Sequence, residues 1–377
     1  MSITTYALKV KSLLLNIYTL FLISYILIGF SGYLFRLGDQ LHYKASILLL
    51  LRQFIATFPI IYFAYFSTKV FALKDKTSQY VNYILYTIIF TNIATALTPI
   101  LGITSFYSHA SNYLVHGERV GGFFANANEA GIFGNYLVVI FFVFYLKKPK
   151  YKWLTIPLLL LGSFNAVASF SKAAILVVPI IIIYYLFFSL LKLKNYSPKN
   201  RKGFFRVSLL ISIITFFLFI NFNAYYDSLE TSKQKRLTNS LAIATGDINS
   251  ATTSKRSELF WHGIKKISRN PLVGYGMGSF HQFIDGPYEL GIHNSFLLII
   301  GESGFIPFLL FITMLLLLFK YGYHHLDYKI SFFITASVLI FIINLYGTSN
   351  NTIVDRPSNI LLGVFFALIE NRKEKIN

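Results

Sequence analysis

The sequence has no cysteine, only 2 tryptophans and 3 methionines, and charged residues make up just 13% of its 377 positions. Without cysteine there are no disulfides, no thiolate metal ligands and no cysteine nucleophile. Outside the apolar stretches there is no interleaving of basic and aromatic residues of the kind that stacks bases, so no nucleic-acid partner is implied despite a net charge of +19. No internal repeat is evident, which weighs against a transporter built from repeated halves. Gly274, Gly276 and Gly278 form a glycine-rich run, but no Lys-Ser/Thr follows it and no strand flanks it, so it is not a nucleotide-phosphate loop. A turn leading back to the membrane is the expectation for these glycines. The first loop, Phe35 to Lys44, carries a single acidic residue, Asp39, which excludes the paired acidic motif of metal-dependent lipid-sugar transferases.

What is present is apolar: 55% of residues are hydrophobic and 18% aromatic, far beyond a soluble globular composition. Runs long enough to cross ~30 Å of hydrocarbon, which takes about 20 helical residues, recur along the chain. The runs lack the alternation of barrel strands, so the spans are helical. The expected fold is all-α, a polytopic membrane bundle of about ten helices. They run Leu13 to Phe35, Ala45 to Phe66, Tyr80 to Leu101, Asn128 to Leu146, Trp153 to Phe170, Ala173 to Leu191, Phe204 to Phe222, His293 to Phe319, Ile330 to Tyr346 and Pro357 to Ile369. The first is too long for a signal-peptide core and reads as an anchor.

Lys and Arg in short loops mark the cytoplasmic side. With the N-terminus inside, 20 of the 34 basic residues fall in cytoplasmic segments, Lys69 to Lys76 among them. The opposite short loops hold only Arg36, Lys44, Arg119, Lys172 and Arg356. Both termini are therefore expected in the cytoplasm, and much of the positive charge is topology signal facing anionic membrane lipids. Three regions follow: residues 1–222 with seven spans, an extracytoplasmic helical subdomain at 223–292, and residues 293–377 with three spans and a tail. In the middle region Leu259, Phe260, Ile264 and Ile267 have helical spacing, predicting an amphipathic helix over Arg256 to Ile267 that lies on the membrane or roofs the bundle.

Chemistry-bearing residues gather at the extracytoplasmic face. Arg119 opens a Gly- and Asn-rich loop before a helix that starts near Asn128, with Glu129 in its first turn. Gly121 and Gly122 permit close backbone approach, and Asn is a good helix cap, so the loop is built like an anion cradle. Taken alone, Arg119 fits snorkelling to headgroup phosphates slightly better. Arg256 suits either a ligand contact or a helix start paired with Glu258. His293 sits at the entry of an apolar helix, as a cap or as a reactive group. Glu302, inside a predicted span, is costly without a partner, and a basic neighbour is the expected one.

Taken together these segments resemble the O-antigen ligase and O-antigen polymerase superfamily. The resemblance is carried by Arg-x-x-Gly-x-Phe-x-Asn-x-Asn at 119–128, Ser-Phe-Ser-Lys at 169–172, Arg-x-x-x-x-Trp at 256–261, the glycine run at 270–280, and His-Asn-Ser-Phe-Leu with Glu-Ser-Gly at 293–304. It covers roughly residues 119–320, and the first three spans match only in hydropathy. Two departures are Ala127, where members often have proline, and Lys172, where they often have arginine. A lysine there offers a point charge instead of a bidentate fork.

The resemblance implies a glycosyltransferase of the bacterial inner membrane whose site faces the periplasm. Its donor would be an undecaprenyl-diphosphate-linked glycan, and its acceptor lipid A core or another lipid-linked glycan, with no metal and no cofactor. It makes Arg119, Arg256 and His293 the catalytic residues, with Lys172, Glu302, Asn128 and, more weakly, Arg356 on the substrate. The chemistry agrees. Charge builds on a departing diphosphate, which two arginine forks can hold, while an imidazole takes the proton from the attacking hydroxyl. Glu302 would orient that imidazole or hold an arginine. Ligase and polymerase differ only in acceptor, and the single extracytoplasmic segment favours the ligase by analogy. An exporter of lipid-linked glycan is the competing class. A translocation path needs polar residues spread through the span interiors, where Arg52 is nearly alone.

Overall fold

The computed structural model describes residues 13–34, 43–73, 76–103, 120–124, 127–147, 152–192, 209, 226–229, 231, 233–235, 237–238, 256–280, 292, 294–325, 327–347 and 356–374. Every described secondary-structure element is an α-helix. In chain order they are α1 (Leu13–Leu34), α2 (Tyr43–Leu73), α3 (Thr77–Leu97), α4 (Ala127–Lys147), α5 (Lys152–Ala168), α6 (Lys172–Lys192), α7 (Arg256–Ile267), α8 (Ser295–Ser303), α9 (Phe305–Tyr323), α10 (Tyr328–Gly347) and α11 (Arg356–Glu374). Five described helices, α1, α3, α6, α9 and α10, are long and apolar enough to cross a membrane. Their exposed faces carry Leu20, Leu27, Phe90, Ile183 and Leu316, as lipid-facing helices require. Apart from residue 209, the expected span Phe204 to Phe222 lies outside the described residues.

The chain divides into two compact units: Met1–Ile84 with Thr252–Asn377, and Leu85–Ala251, the division falling within α3. In the first, α1 packs on α8 and α9, α2 on α11, and α9 on α10. The Phe21 and Phe311 rings pack in a tilted pair with centroids 4.8 Å apart at the α1–α9 contact, and Tyr18 donates a 2.8 Å hydrogen bond to Asn359 Oδ1, joining α1 to α11. Gly363 brings α11 against α2 so closely that a Cβ there would stand 2.5 Å from the Ile61 carbonyl oxygen. In the second unit α4 packs on α5 and α6. A Cβ on Gly134 would meet the Gly162 carbonyl oxygen at 2.6 Å, and one on Gly162 the Gly134 oxygen at 2.7 Å. Such reciprocal small residues let membrane helices touch backbone to backbone. Asn92 and Asn165 bridge α3 and α5 at 2.9 Å, and Asn92 also donates to the Phe133 carbonyl of α4 at 3.0 Å.

Two expectations are corrected. The stretch His293 to Phe319 is not one helix: it is broken at Gly304 into α8 and α9. Gly304 has φ 76 and ψ −167, a conformation essentially reserved for glycine. The backbone groups released by the break are met by the preceding loop. Phe305 N–H donates to Leu272 O at 3.3 Å, Gly301 O accepts from Tyr275 at 2.7 Å, and Glu302 O accepts from Gly276 at 3.0 Å. Hydropathy does not see this break, because Gly and Ser score neutrally within an apolar run. The second correction concerns Lys69. The charge pattern placed it beyond the second span, but α2 continues to Leu73 and Lys69 is only 6% exposed. Its ammonium lies 3.6 Å from Glu370 of α11, a helix that itself runs past the expected end at Ile369.

Candidate active site

The glycine run is more than a turn. Residues 274–280 are buried, and Gly274, Gly276 and Gly278 have φ of 74, 91 and 90, so the run follows a path that side-chain-bearing residues rarely adopt. It threads between α1 and the break after α8. Met277 N–H donates to Gly29 O at 2.8 Å, and a Cβ on Gly32 would stand 2.8 Å from Gly276 N. Gly29 and Gly32 thus make a small face on α1 that admits the loop backbone. Hydropathy alone could not single out this face, although the three-residue spacing of the two glycines is its trace in the sequence.

Glu302 lies at the centre of this joint with 0% exposure. Its Oε1 accepts from the backbone N–H groups of Gly278 at 2.9 Å and Phe280 at 3.3 Å, and its Oε2 accepts from the Tyr25 hydroxyl. These charge-assisted bonds offset the cost of burying a carboxylate in a span. Among the described contacts, a loop backbone and a phenol hold the carboxylate. Ser303 Oγ adds a 2.8 Å bond to Tyr25 O.

The same joint frames the segment that holds His293. Ile292 N–H donates to Phe280 O at 2.9 Å, tying the end of the glycine run to the residue before His293. Asn294 then caps α8, its Oδ1 accepting from Phe296 and Leu297 N–H at 3.0 Å each. Helix capping is thus the work of Asn294. Helix α7 covers the range expected for it and packs on α8. Leu259 and Ile267 are buried, and a Cβ on Gly263 would stand 2.6 Å from Ile292 Cδ1, while Trp261 is 66% exposed. Arg256 is the first residue of α7, so its backbone belongs to the same packed unit as the His293 segment.

The second unit carries the other candidates. Val120 N–H donates to Ala168 O at 3.2 Å, and Gly122, with φ 60, lies directly against the Thr95 side chain, so the loop after Arg119 is seated on α3 and α5. Asn165, whose amide joins Asn92, is on the helix that ends at that seat. The sequence reading missed both asparagines, whose only trace is a polar residue inside an apolar run. Helix α4 begins at Ala127, so Asn128 sits in its first turn instead of capping it, beside Glu129. In Ser-Phe-Ser-Lys, Phe170 has φ 46, a left-handed conformation worth about 1–3 kcal/mol of strain for such a residue. Ser169 Oγ accepts from Ser171 N–H at 3.2 Å across this kink, and half-buried Lys172 opens α6. Arg119 and His293, and the side chains of Arg256 and Arg356, lie outside the described residues. Among the described residues no group of three or more His, Asp or Glu could hold a metal.

Residues 157–312 match the protein-family model for O-antigen ligase. The match spans the Ser-Phe-Ser-Lys turn, helix α7, the glycine run and the Glu302 joint. No curated protein matches the chain. The apolar helices and this match together make the chain a membrane protein of the O-antigen ligase and polymerase type, a glycosyltransferase-like group. The segment 157–312, with its buried Glu-Ser-Gly break, is the part of the chain whose match to the O-antigen ligase model supports the O-antigen ligase superfamily.

Proposed function

We propose that this protein transfers a glycan from an undecaprenyl-diphosphate carrier to an acceptor sugar hydroxyl at the outer face of the bacterial inner membrane, as a ligase onto lipid A core. The observation that carries this reading is the O-antigen ligase match over the segment in which Glu302 ties the glycine run to the helix following His293. In the reaction the acceptor hydroxyl forms a bond to the anomeric carbon as the bond to the diphosphate breaks. His293 takes the hydroxyl proton. Arg119 and Arg256 hold the phosphate oxygens on which charge accumulates, a role for which planar guanidinium forks are suited because they remain charged and bind bidentately. Lys172, Arg356 and Asn128 add contacts to the donor, and the segment 223–292 is an extracytoplasmic cover that excludes water from the reacting groups. Both termini are cytoplasmic, and the charge bias of the short loops supports that orientation.

The test is surface glycan in a strain lacking the protein, complemented with Arg119→Ala, Arg256→Ala or His293→Ala. Polymer missing from lipid A core while it accumulates on the lipid carrier is the ligase outcome. A core bearing one repeat unit makes the protein a polymerase instead. Loss of a general base lowers the rate about 10²- to 10⁴-fold, so full surface polysaccharide from the His293→Ala strain refutes the assigned role.

A further inference from the structure

We infer that the turn after α7, residues 268–273, is a lipid anchor: Leu272 and Val273 enter the acyl chains of the leaflet at the N-terminal end of α9, and Lys265 and Arg269 hold the phosphates of anionic phospholipids there. The inference rests on α9 crossing the membrane and not on the transfer reaction, so the two fail separately.

The depth of the turn follows from α9. That helix has 19 residues and is apolar enough to span, which makes it about 28 Å long, close to the thickness of the hydrocarbon core. Its first residue therefore stands at a membrane boundary. Phe305 N–H donates to Leu272 O at 3.3 Å, and a Cβ on Gly304 would strike that same carbonyl, so the turn is held at the level where α9 begins. The turn's backbone is closed on itself: Gly274 N–H donates to Asn270 O at 3.1 Å and Asn270 N–H to Ile267 O at 3.0 Å. Its apolar side chains point outward. Leu272 is 69% and Val273 45% exposed, and exposed Phe305, Ile306 and Leu309 continue the same surface down α9. In water that continuation would be an apolar patch without a partner. At the edge of the leaflet it extends the face that lipid covers along α9.

The charges fit the same place. From Leu259 to Ile284 the chain holds three basic residues, Lys265, Lys266 and Arg269, and no acidic one. Lys266 turns onto the glycine run, its ammonium 5.4 Å from the centre of the Tyr275 ring and 5.8 Å from that of Phe280. Lys265 and Arg269, four positions apart across the end of α7, are exposed, and neither is in an ion pair among the described residues. Cations flanking an inserted apolar pair meet the phosphate layer, where each is worth about fivefold in preference for an anionic lipid.

The chain has no cysteine, so a single Leu272→Cys or Val273→Cys substitution gives a unique labelling site on an exposed side chain. The full-length variant, labelled with bimane, is reconstituted in vesicles of phosphatidylcholine and phosphatidylglycerol. Brominated acyl chains should quench the label and iodide in the buffer should not. Brominated phosphatidylglycerol should quench at least about fivefold more effectively than brominated phosphatidylcholine, and the added pair Lys265→Gln, Arg269→Gln should abolish that difference. Quenching by iodide and not by lipid puts the turn in water and overturns the inference. A label reached by neither quencher is covered by protein, which overturns it as well. Lipid quenching without headgroup preference, or with a preference that survives the double substitution, overturns the assignment of Lys265 and Arg269 to phosphates.

Discussion

Replacing Lys69 with methionine removes the cation from a pair buried between α2 and α11. The ammonium stands 3.6 Å from Glu370, and the two side chains are 7% and 10% exposed. Tyr65 donates a 2.6 Å bond to Glu370 Oε2, while Oε1 has no hydrogen-bond partner. Without Lys69 the carboxylate keeps only the phenol, and an uncompensated buried charge of this kind costs about 3–5 kcal/mol. The double variant Lys69→Met, Glu370→Leu removes both charges and fills the space with apolar volume, which is often neutral or stabilising by about 1–4 kcal/mol. The assay is thermal unfolding of purified protein in detergent, where the single variant should melt on the order of 5 °C below wild type and the double variant should regain most of that loss. A single variant that melts with wild type, or a double variant no better than the single, refutes the reasoning that the pair is buried and coupled.

Two further outcomes follow from described contacts. Asn294→Ala should cost about 0.5–2 kcal/mol through loss of the α8 cap, visible as lowered melting and faster exchange at Phe296 and Leu297, the amides that Asn294 now holds. Gly162→Leu should separate α4 from α5, since a Cβ there would stand 2.7 Å from the Gly134 oxygen and 3.0 Å from Val138 Cγ2. Overpacking there costs about 1–3 kcal/mol or more, and a monodisperse, wild-type-stable Gly162→Leu protein would contradict the packing.

Much of this was legible in the residue order because helices in lipid must be long, apolar and internally hydrogen-bonded. The extents of α1, α4, α5 and α6 agree with the apolar runs to within a residue or two, and α7 was readable from the spacing of Leu259, Phe260, Ile264 and Ile267. The break at Gly304 was not, since its cause is a partner loop some 30 positions earlier in the chain. Glu302 was marked as needing a partner, and the main-chain amides and first-helix tyrosine that meet it among the described residues have no charge signature. The pairing of Lys69 was hidden for a related reason: a lysine near a span end reads as a topology signal, and only the approach of α11 makes it one half of a pair.

The interruption after Ser303 also constrains how the protein is made. The carbonyls of Gly301 and Glu302 are served by Tyr275 and Gly276, which precede them in the chain, so during synthesis the acceptors emerge after their donors are already present. A fragment beginning at Ser295 would bring those carbonyls into lipid unmet, each costing several kcal/mol. Such a truncated C-terminal piece should fail to insert stably alone, and split versions of the protein should work only when the cut leaves residues 270–305 on one piece.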